Sequence, residues 1–274
     1  MDKQEYLKLL DLLYRVIEAN KGPITGDDDR YWYAEGLATK FFLHAASVLY
    51  LSRTTNISDF PSTAVKFIDS ASIDVLVRAA FEAFLTFHYV FFAPKTREEQ
   101  DYRYWTYRVA GLAERQQLPV STEEHRRKLA DGKRELDDLL NKLRSNPLFN
   151  GLQVLKDKWR QKSWRDIAID AGFSEMLASH MYRYLCGYAH SGSLSILQIK
   201  KSLLKKEQSQ LIEVSMITIA IVTASLVSEY SELFPRAKSA LLADPEGTDI
   251  VHMWVQLGRT LDDETKIAGH DNSN

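Results

Sequence analysis

The chain has 274 residues, of which 45% are hydrophobic and 26% charged, so it is long and apolar enough to bury a full core. Its 35 Lys and Arg residues nearly balance 37 Asp and Glu residues, and the formal net charge of −2 excludes a globally basic nucleic-acid-binding protein. The single cysteine, Cys186, excludes an internal disulfide and a cysteine zinc site.

The first half of the chain is predicted to be helical. Apolar residues recur at helical spacing between glycine, proline and polar breaks, which predicts five helices, at residues 2–20, 30–53, 62–92, 96–117 and 121–145. We expect Ser62 or Thr63 to cap the third helix, because their side chains can accept a hydrogen bond from the first turn. The fifth helix opens with a Ser-x-x-Glu capping box at Ser121.

Shorter elements are predicted in the second half. Residues 147–173 indicate a loop and one or two short helices, with Ser163 as a cap and Gly172 as a stop. A tyrosine-rich helix follows at residues 174–190. A long apolar helix is predicted at about residues 207–233, and a proline ends it.

Together these elements predict an all-α fold, a bundle of about seven to nine helices in a single domain of residues 1–274. The core is expected over about residues 2–235, and residues 236–274 are expected to form a C-terminal extension with a frayed tail. The fifteen uncharged residues 214–228 are fewer than the roughly 20 that cross a bilayer. The amino terminus lacks the pattern of a secretory signal. We therefore expect a cytoplasmic protein without a membrane partner.

The stretch MYRYLCGYAHSG places an arginine and a histidine seven positions apart. Seven residues of an α-helix turn through about 700° and rise roughly 10 Å, so Arg183 and His190 share nearly one face. A guanidinium binds phosphate, and an imidazole exchanges protons near neutral pH. The pair therefore suits metal-independent RNA cleavage, with His190 as general acid or base and Arg183 on the scissile phosphate. A structural role, with each side chain satisfied inside the helical core, explains the same residues.

This Arg-x6-His pattern near the end of a helix, in an all-helical chain, resembles the Arg-x4–6-His signature of the HEPN superfamily. Many members of that superfamily are endoribonucleases of toxin–antitoxin, abortive-infection and other defence systems. The wider segment, residues 156–193, also resembles an uncharacterised bacterial all-helical family. The resemblance implies a HEPN-like homodimer whose two motifs face each other in one cleft, with RNA as substrate and an antitoxin or defence-system protein as partner. Tyr184 follows the arginine where the superfamily usually has a polar residue.

Four further residues are predicted to support the pair: Arg78, Glu82, Tyr188 and Ser191. Arg78 and Glu82 lie four positions apart on the apolar third helix, where they can form a buried structural ion pair. If that helix packs against the tyrosine-rich one, Arg78 can instead contact a phosphate, or Glu82 can orient His190. Ser191 follows the histidine at a helix end, which leaves the ring close to solvent.

A basic cluster follows the histidine by about ten residues and is predicted to bind RNA: Lys200, Lys201, Lys205 and Lys206. Runs of this kind are also typical of a solvated helix face. We expect no metal and no cofactor, because Glu-x-x-His, His-Glu-x-x-His and phosphate-binding glycine motifs are absent from the sequence.

Two functions follow from this reasoning. The first is a HEPN-like endoribonuclease of a bacterial defence or toxin-type system. The second is a non-catalytic helical interaction or sensor protein that binds a partner chain or a small ligand.

Overall fold

The computed structural model describes residues 3–22, 29–58, 65–151, 159–190, 192–205 and 208–270. Their backbone is almost entirely helical, which confirms the all-α prediction. The exception is a two-stranded antiparallel ribbon of β1 (Thr55–Ile57) and β2 (Val65–Phe67). The number of helices is close to the predicted one, and short helices in the second half account for the difference.

Contacts between elements divide the chain into two compact units, residues 1–87 with 164–274 and residues 88–163. The interpretation of the chain as a single domain stays a prediction. The first unit contains ten helices among its described residues: α1 (Lys3–Asn20), α2 (Arg30–Leu51), α3 (Ser70–Phe87), α6 (Trp164–Asp170), α7 (Tyr182–Ala189), α8 (Ser193–Lys205), α9 (Gln208–Leu211), α10 (Glu213–Leu233), α11 (Pro235–Leu242) and α12 (Pro245–His270). A π-helix, Met176–Met181, directly precedes α7.

The core of the first unit is built on α3 and α10. Helix α10 is apolar around its whole circumference, so it is buried on all sides against α1, α3, α11 and α12. Helix α3 packs between α2, α7 and α10, and its Val77, Phe81 and Phe84 are fully buried. Phe173 contacts the rings of Phe81 and Phe84. Because α3 is packed against α2, α7 and α10, it is a rigid support for the side chains on its less buried turns.

The second unit is a helical hairpin that follows a π-helix, His88–Phe92. Its helices are α4 (Arg97–Arg115) and α5 (Glu123–Ser145), which pack through an apolar seam. The seam is formed by six side chains: Tyr102, Val109, Leu112, Leu136, Leu139 and Leu143. The predicted capping box at Ser121 is wrong by one residue, because Thr122 accepts the hydrogen bond from the amide of His125.

The predicted start of the third helix is wrong. Helix α3 begins at Ser70, and the segment before it forms β2 rather than a helical turn. Asp69 supplies the cap, because its carboxylate accepts from the amide of Ser72 at 3.0 Å. Ser62 and Thr63, which were expected to cap this helix, lie outside the described residues. The β-branched and aromatic residues of VKF favour a strand over the helix that simple periodicity extends.

The second half differs from the prediction in two places. Helix α8 was not predicted, and the helix expected from about residue 207 begins at Glu213. Pro235 occupies the first turn of α11 instead of ending the ordered core, since proline is well tolerated there. Helix α12 then packs against α10 and α1, with Val251 and Trp254 buried. Helices α11 and α12 thus contribute buried side chains to the first unit, and the core boundary near residue 235 stays a prediction.

Two helical stretches among the described residues are long and apolar enough to cross a membrane, Ser70–Phe92 and Ser209–Leu233. In each, 67% of the apolar window is buried inside the protein, as in core helices of folded domains. This is weak evidence for a span, and a cytoplasmic location stays a prediction.

The packing of α12 on α10 can be tested at Gly258. A Cβ atom there would lie 2.6 Å from Cγ2 of Ile221 and 3.4 Å from Phe173. We expect Gly258→Ala to lower the free energy of unfolding by about 1–3 kcal/mol, because a methyl group must force the two helices apart. Gly111→Ala is the matched control, since a Cβ there meets nothing within 4 Å. Urea unfolding of both variants measures the difference, and equal stability of the two would contradict this packing.

Candidate functional site

The tyrosine-rich helix predicted at residues 174–190 is present and packs against α3. Its last helical residue is Ala189, and His190 is the C-cap, with φ −107° and ψ 17°. The amide of His190 donates to the carbonyl oxygen of Cys186 at 3.1 Å. Leu185 is fully buried on the inner face of α7, whereas the side chain of His190 is exposed. The histidine therefore lies where the helix ends at the protein surface.

The ring of His190 contacts a guanidinium from α3. Nη1 of Arg78 lies 3.2 Å from Nε2 of His190, and Nε of Arg78 donates to Oε1 of Glu82 at 3.0 Å. Because an arginine can only donate, Nε2 of His190 is the acceptor in this hydrogen bond. Arg78 thus bridges the carboxylate of Glu82 and the imidazole of His190.

Tyr182 completes this group of side chains. Its hydroxyl donates to Oε1 of Glu82 at 2.8 Å, and the guanidinium carbon of Arg78 lies 5.8 Å from the centre of its ring. Burial and the hydrogen bond to Glu82 raise the pKa of Tyr182. Burial alone would lower the pKa of Arg78, but the contributions of Glu82, Cys186 and Tyr182 together outweigh it, so the pKa of Arg78 is raised. We call Arg78, Glu82, Tyr182 and His190 the Arg78 cluster.

Arg183, the other predicted catalytic residue, is exposed on α7. Its guanidinium makes no hydrogen bond or ion pair with the described part of the chain, so it is available to an anion. It lies one residue beyond Tyr182 and seven before His190 on the same helix. Neither Arg183 nor His190 is sealed in the core, and their catalytic roles stay a prediction.

The predicted supporting residues fall into three groups. Arg78 and Glu82 belong to the cluster, and Arg78 rather than Glu82 contacts His190. Tyr188 is buried elsewhere on α7, where its hydroxyl donates to Oε1 of Gln198 at 3.0 Å and links α7 to α8. Ser191 lies outside the described residues. The roles assigned to these residues stay predictions.

The predicted RNA-binding lysines lie on or after α8. Lys200 and Lys201 are exposed, Lys206 lies outside the described residues, and so does the side chain of Lys205. The outer surface of α8 is also apolar, because four aliphatic side chains are exposed on it: Leu194, Ile196, Leu197 and Leu203. Helix α8 therefore presents a mixed basic and aliphatic surface.

Asp74 was missed by the sequence analysis and is fully buried one turn before Arg78. Its Oδ1 accepts from the hydroxyl of Ser215 on α10, and its Oδ2 has no hydrogen-bond partner in the part of the chain that the structure describes. Burial raises the pKa of Asp74 to about 7, although the hydrogen bond from Ser215 opposes the shift. A lone aspartate in an apolar helix gave no sequence signal for this partner, which comes from a helix 141 residues away.

Among the described residues, no group of three or more His, Cys, Asp or Glu side chains could hold a metal ion. The described structure defines an all-helical protein in which a partly buried arginine and carboxylate of α3 meet an exposed histidine at the end of α7. Residues 44–207 match the family described as a family of unknown function (DUF5677), and the chain belongs to this family. The matched range includes Arg78, Glu82, Arg183 and His190. No curated protein and no solved structure matches the chain.

Asp74 predicts a pH dependence of stability. Its pKa is about 7 in the folded protein against 3.8 as the ordinary value, so the folded state holds a proton that the unfolded state has lost between these pH values. The free energy of unfolding should therefore fall as pH rises from about 4 to 7. A shift of this size corresponds to a loss on the order of 4 kcal/mol.

Asp74→Asn removes this titration, so its stability should fall less than that of the wild type over the same range. Urea unfolding at pH 5 and pH 8 measures the effect. Asp249→Asn, at an exposed position on α12, is the control and should follow the wild type. Parallel profiles for wild type and Asp74→Asn would show that Asp74 is ionised in the folded protein throughout.

Proposed function

We propose that this protein is a HEPN-like, metal-independent endoribonuclease of a bacterial defence or toxin-type system. In this proposal His190 is the general acid or base, and Arg183 and Arg78 bind the scissile phosphate. The observation that carries it is the exposed ring of His190, held by the guanidinium of Arg78, with the exposed Arg183 on the same helix as His190 and without a polar partner among the described residues. A cation and a proton-exchanging ring within hydrogen-bonding distance are the groups that cleavage by a 2′-hydroxyl requires.

In this proposal, the phosphate of the RNA displaces His190 from its contact with Arg78. A phosphate oxygen carries negative charge and is a stronger acceptor for a guanidinium than a neutral imidazole is. When RNA binds, its phosphate takes the Nη1 donor of Arg78, while Glu82 keeps the Nε donor and holds the guanidinium in place. Nε2 of His190 then becomes free to accept a proton.

The chemical step follows from that exchange. Nε2 of His190 takes the proton of the 2′-hydroxyl, the 2′-oxygen bonds to phosphorus, and the bond from phosphorus to the 5′-oxygen breaks. The leaving oxygen takes a proton from water or from the protonated His190 of a second copy, which the HEPN-type dimer would bring into the same cleft. The products are a 2′,3′-cyclic phosphate and a 5′-hydroxyl. Arg183 and Arg78 offset the negative charge that grows on the phosphate oxygens.

The exposed lysines of α8 support RNA as the substrate. Lys200 and Lys201 follow the histidine within three turns of chain, where they can bind neighbouring phosphates of the same strand. In a cytoplasmic system of this class an antitoxin or another defence-system protein would control the activity. That partner and the location are part of the proposal.

A non-catalytic interaction or sensor protein is the second candidate, and one observation favours it. Helix α8 buries Ser195 and Ser202 and exposes aliphatic side chains. A surface helix usually buries its apolar side chains and exposes its polar ones. A partner chain that covers these side chains would explain this pattern. In that case the Arg78 cluster stabilises the packing of α7 on α3 and performs no chemistry.

Cleavage of a defined single-stranded RNA by purified protein in excess chelator separates the two candidates. We expect His190→Ala and Arg183→Ala each to reduce the rate by about 100-fold or more. Arg78→Lys should reduce it less, since charge is kept but the fork geometry is lost. His180→Ala and Arg134→Ala, at exposed positions, are the matched controls and should cleave like the wild type. Equal rates in all variants would exclude the nuclease.

The products provide a second and independent readout. A 2′-deoxynucleotide placed at the cleavage position should block the reaction, because the attacking hydroxyl is removed. Mass spectrometry of the fragments should show a 2′,3′-cyclic phosphate and no 5′-phosphate. Fragments with a 5′-phosphate, or a rate that chelator abolishes, would contradict the proposed chemistry.

A further inference from the structure

Helix α2 carries an exposed stripe of side chains along its outer face. The stripe has six members, spaced alternately by four and three residues: Trp32, Gly36, Thr39, Leu43, Ala46 and Tyr50. All are exposed except Ala46, which is half-buried. The three large members are 57%, 59% and 70% exposed in chain order. We call these six residues the α2 stripe.

The spacing of the α2 stripe is that of a coiled-coil seam. Alternate steps of four and three residues keep one narrow line of side chains on a helix surface facing a second helix. Ala34, Phe41 and Val48 lie on the opposite face and are buried in the protein's own core. The chain therefore uses one face of α2 for its own fold and leaves a second, seam-like face uncovered.

Gly36 leaves room for a second backbone to approach this face closely. A Cβ atom at Gly36 would meet nothing within 4 Å, so the protein's own packing does not require glycine there. Glycine in the middle of a helix is destabilising relative to alanine. A glycine on such a seam lets a second helix come near, and Ala46 and Thr39 leave further space on the same line.

The charges beside the stripe indicate what the second helix is. Glu35 and Lys40 flank the seam five residues apart, and neither forms an ion pair with the described part of the chain. In a parallel two-helix seam, a residue at the position before one core residue faces the residue five positions further on in the other helix. Two copies of α2 side by side would therefore form two Glu35–Lys40 pairs.

We propose that a second copy of this chain packs its α2 stripe against this one, parallel and in register. Each member of the stripe then meets its own counterpart, so that the two Leu43 side chains pack together and the two Gly36 residues allow close approach. The arrangement is isologous, as closed dimers are. It uses α2 alone, so it is a different interface from the HEPN-type cleft that would bring two His190 rings together, and it does not depend on the proposed nuclease activity of α3 and α7.

Sedimentation equilibrium of the full-length protein tests the interface. The wild type should be a dimer at micromolar concentration, and Leu43→Glu should weaken the dimer by at least about 30-fold, since it places two buried like charges on the seam. Leu242→Glu is the matched control, because Leu242 is 60% exposed on α11, away from the stripe. A monomeric wild type, or a dimer that Leu43→Glu leaves unchanged, would overturn the proposal.

Glycine variants distinguish a seam from a merely exposed face. Gly36→Ala should weaken the dimer about tenfold, because the added methyl groups separate the helices. Gly111→Ala also lies at an exposed helical position with open space around it, and it should leave the dimer unchanged. If Gly36→Ala behaves like Gly111→Ala, no helix approaches the backbone there. Circular dichroism of each variant confirms that the helices are retained.

The parallel register has its own test. Glu35→Lys should weaken the dimer through like charges, and Glu35→Lys combined with Lys40→Glu should restore it. Thr39→Cys should form a disulfide between two copies on mild oxidation, because identical positions face each other. Wild-type protein, whose single Cys186 lies on α7, should not. Failure of the double swap to restore the dimer, or absence of the cross-link, would overturn the parallel arrangement.

Discussion

The site depends on one contact, the guanidinium of Arg78 held between the carboxylate of Glu82 and the imidazole of His190. Helix α3 supplies Arg78 and Glu82 one turn apart, and the packing of α7 on α3 brings His190 to them. Without Arg78 the histidine would be an exposed ring at a helix end with no defined orientation. With it, the ring has a cation 3.2 Å from its Nε2 nitrogen. Through the planar guanidinium of Arg78, this contact links His190, the C-cap of α7, to the core helix α3.

The helical character of the fold could be predicted from the sequence, and the reasons are local. Apolar spacing and glycine or proline breaks locate α1, α2, α4 and the end of the tyrosine-rich helix to within two residues. Helix α8 could not be found in this way, because its apolar side chains face outwards and its buried residues are serines. The packing of α12 on α10 and α1 could not be predicted either, because only a short apolar patch with Val251 and Trp254 marks its buried face.

Only half of the candidate site could be predicted from the sequence, because the other half depends on how helices pack against each other. Arg183 and His190 share a helix, so their spacing alone indicates a common face. The spacing of Arg78 and Glu82 on α3 indicates the same for that pair. The contact between Arg78 and His190 joins residues 112 positions apart and depends on how two helices pack. Tyr182 and Asp74 gave no signal, because a tyrosine or an aspartate on an apolar helix is satisfied by partners that only the folded chain supplies.

The π-helix Met176–Met181 has a geometric consequence for the cluster. A π-turn accommodates one more residue than an α-turn, so each helical residue after it is rotated by about 100° relative to an uninterrupted α-helix. Tyr182 begins the α-helical part immediately after this turn. A relative lacking one residue in that segment could keep the arginine and histidine at their spacing and yet aim a different face of the helix at α3. The spacing of the arginine and the histidine alone therefore does not predict the same site in another chain. The preceding turn must also have the same length.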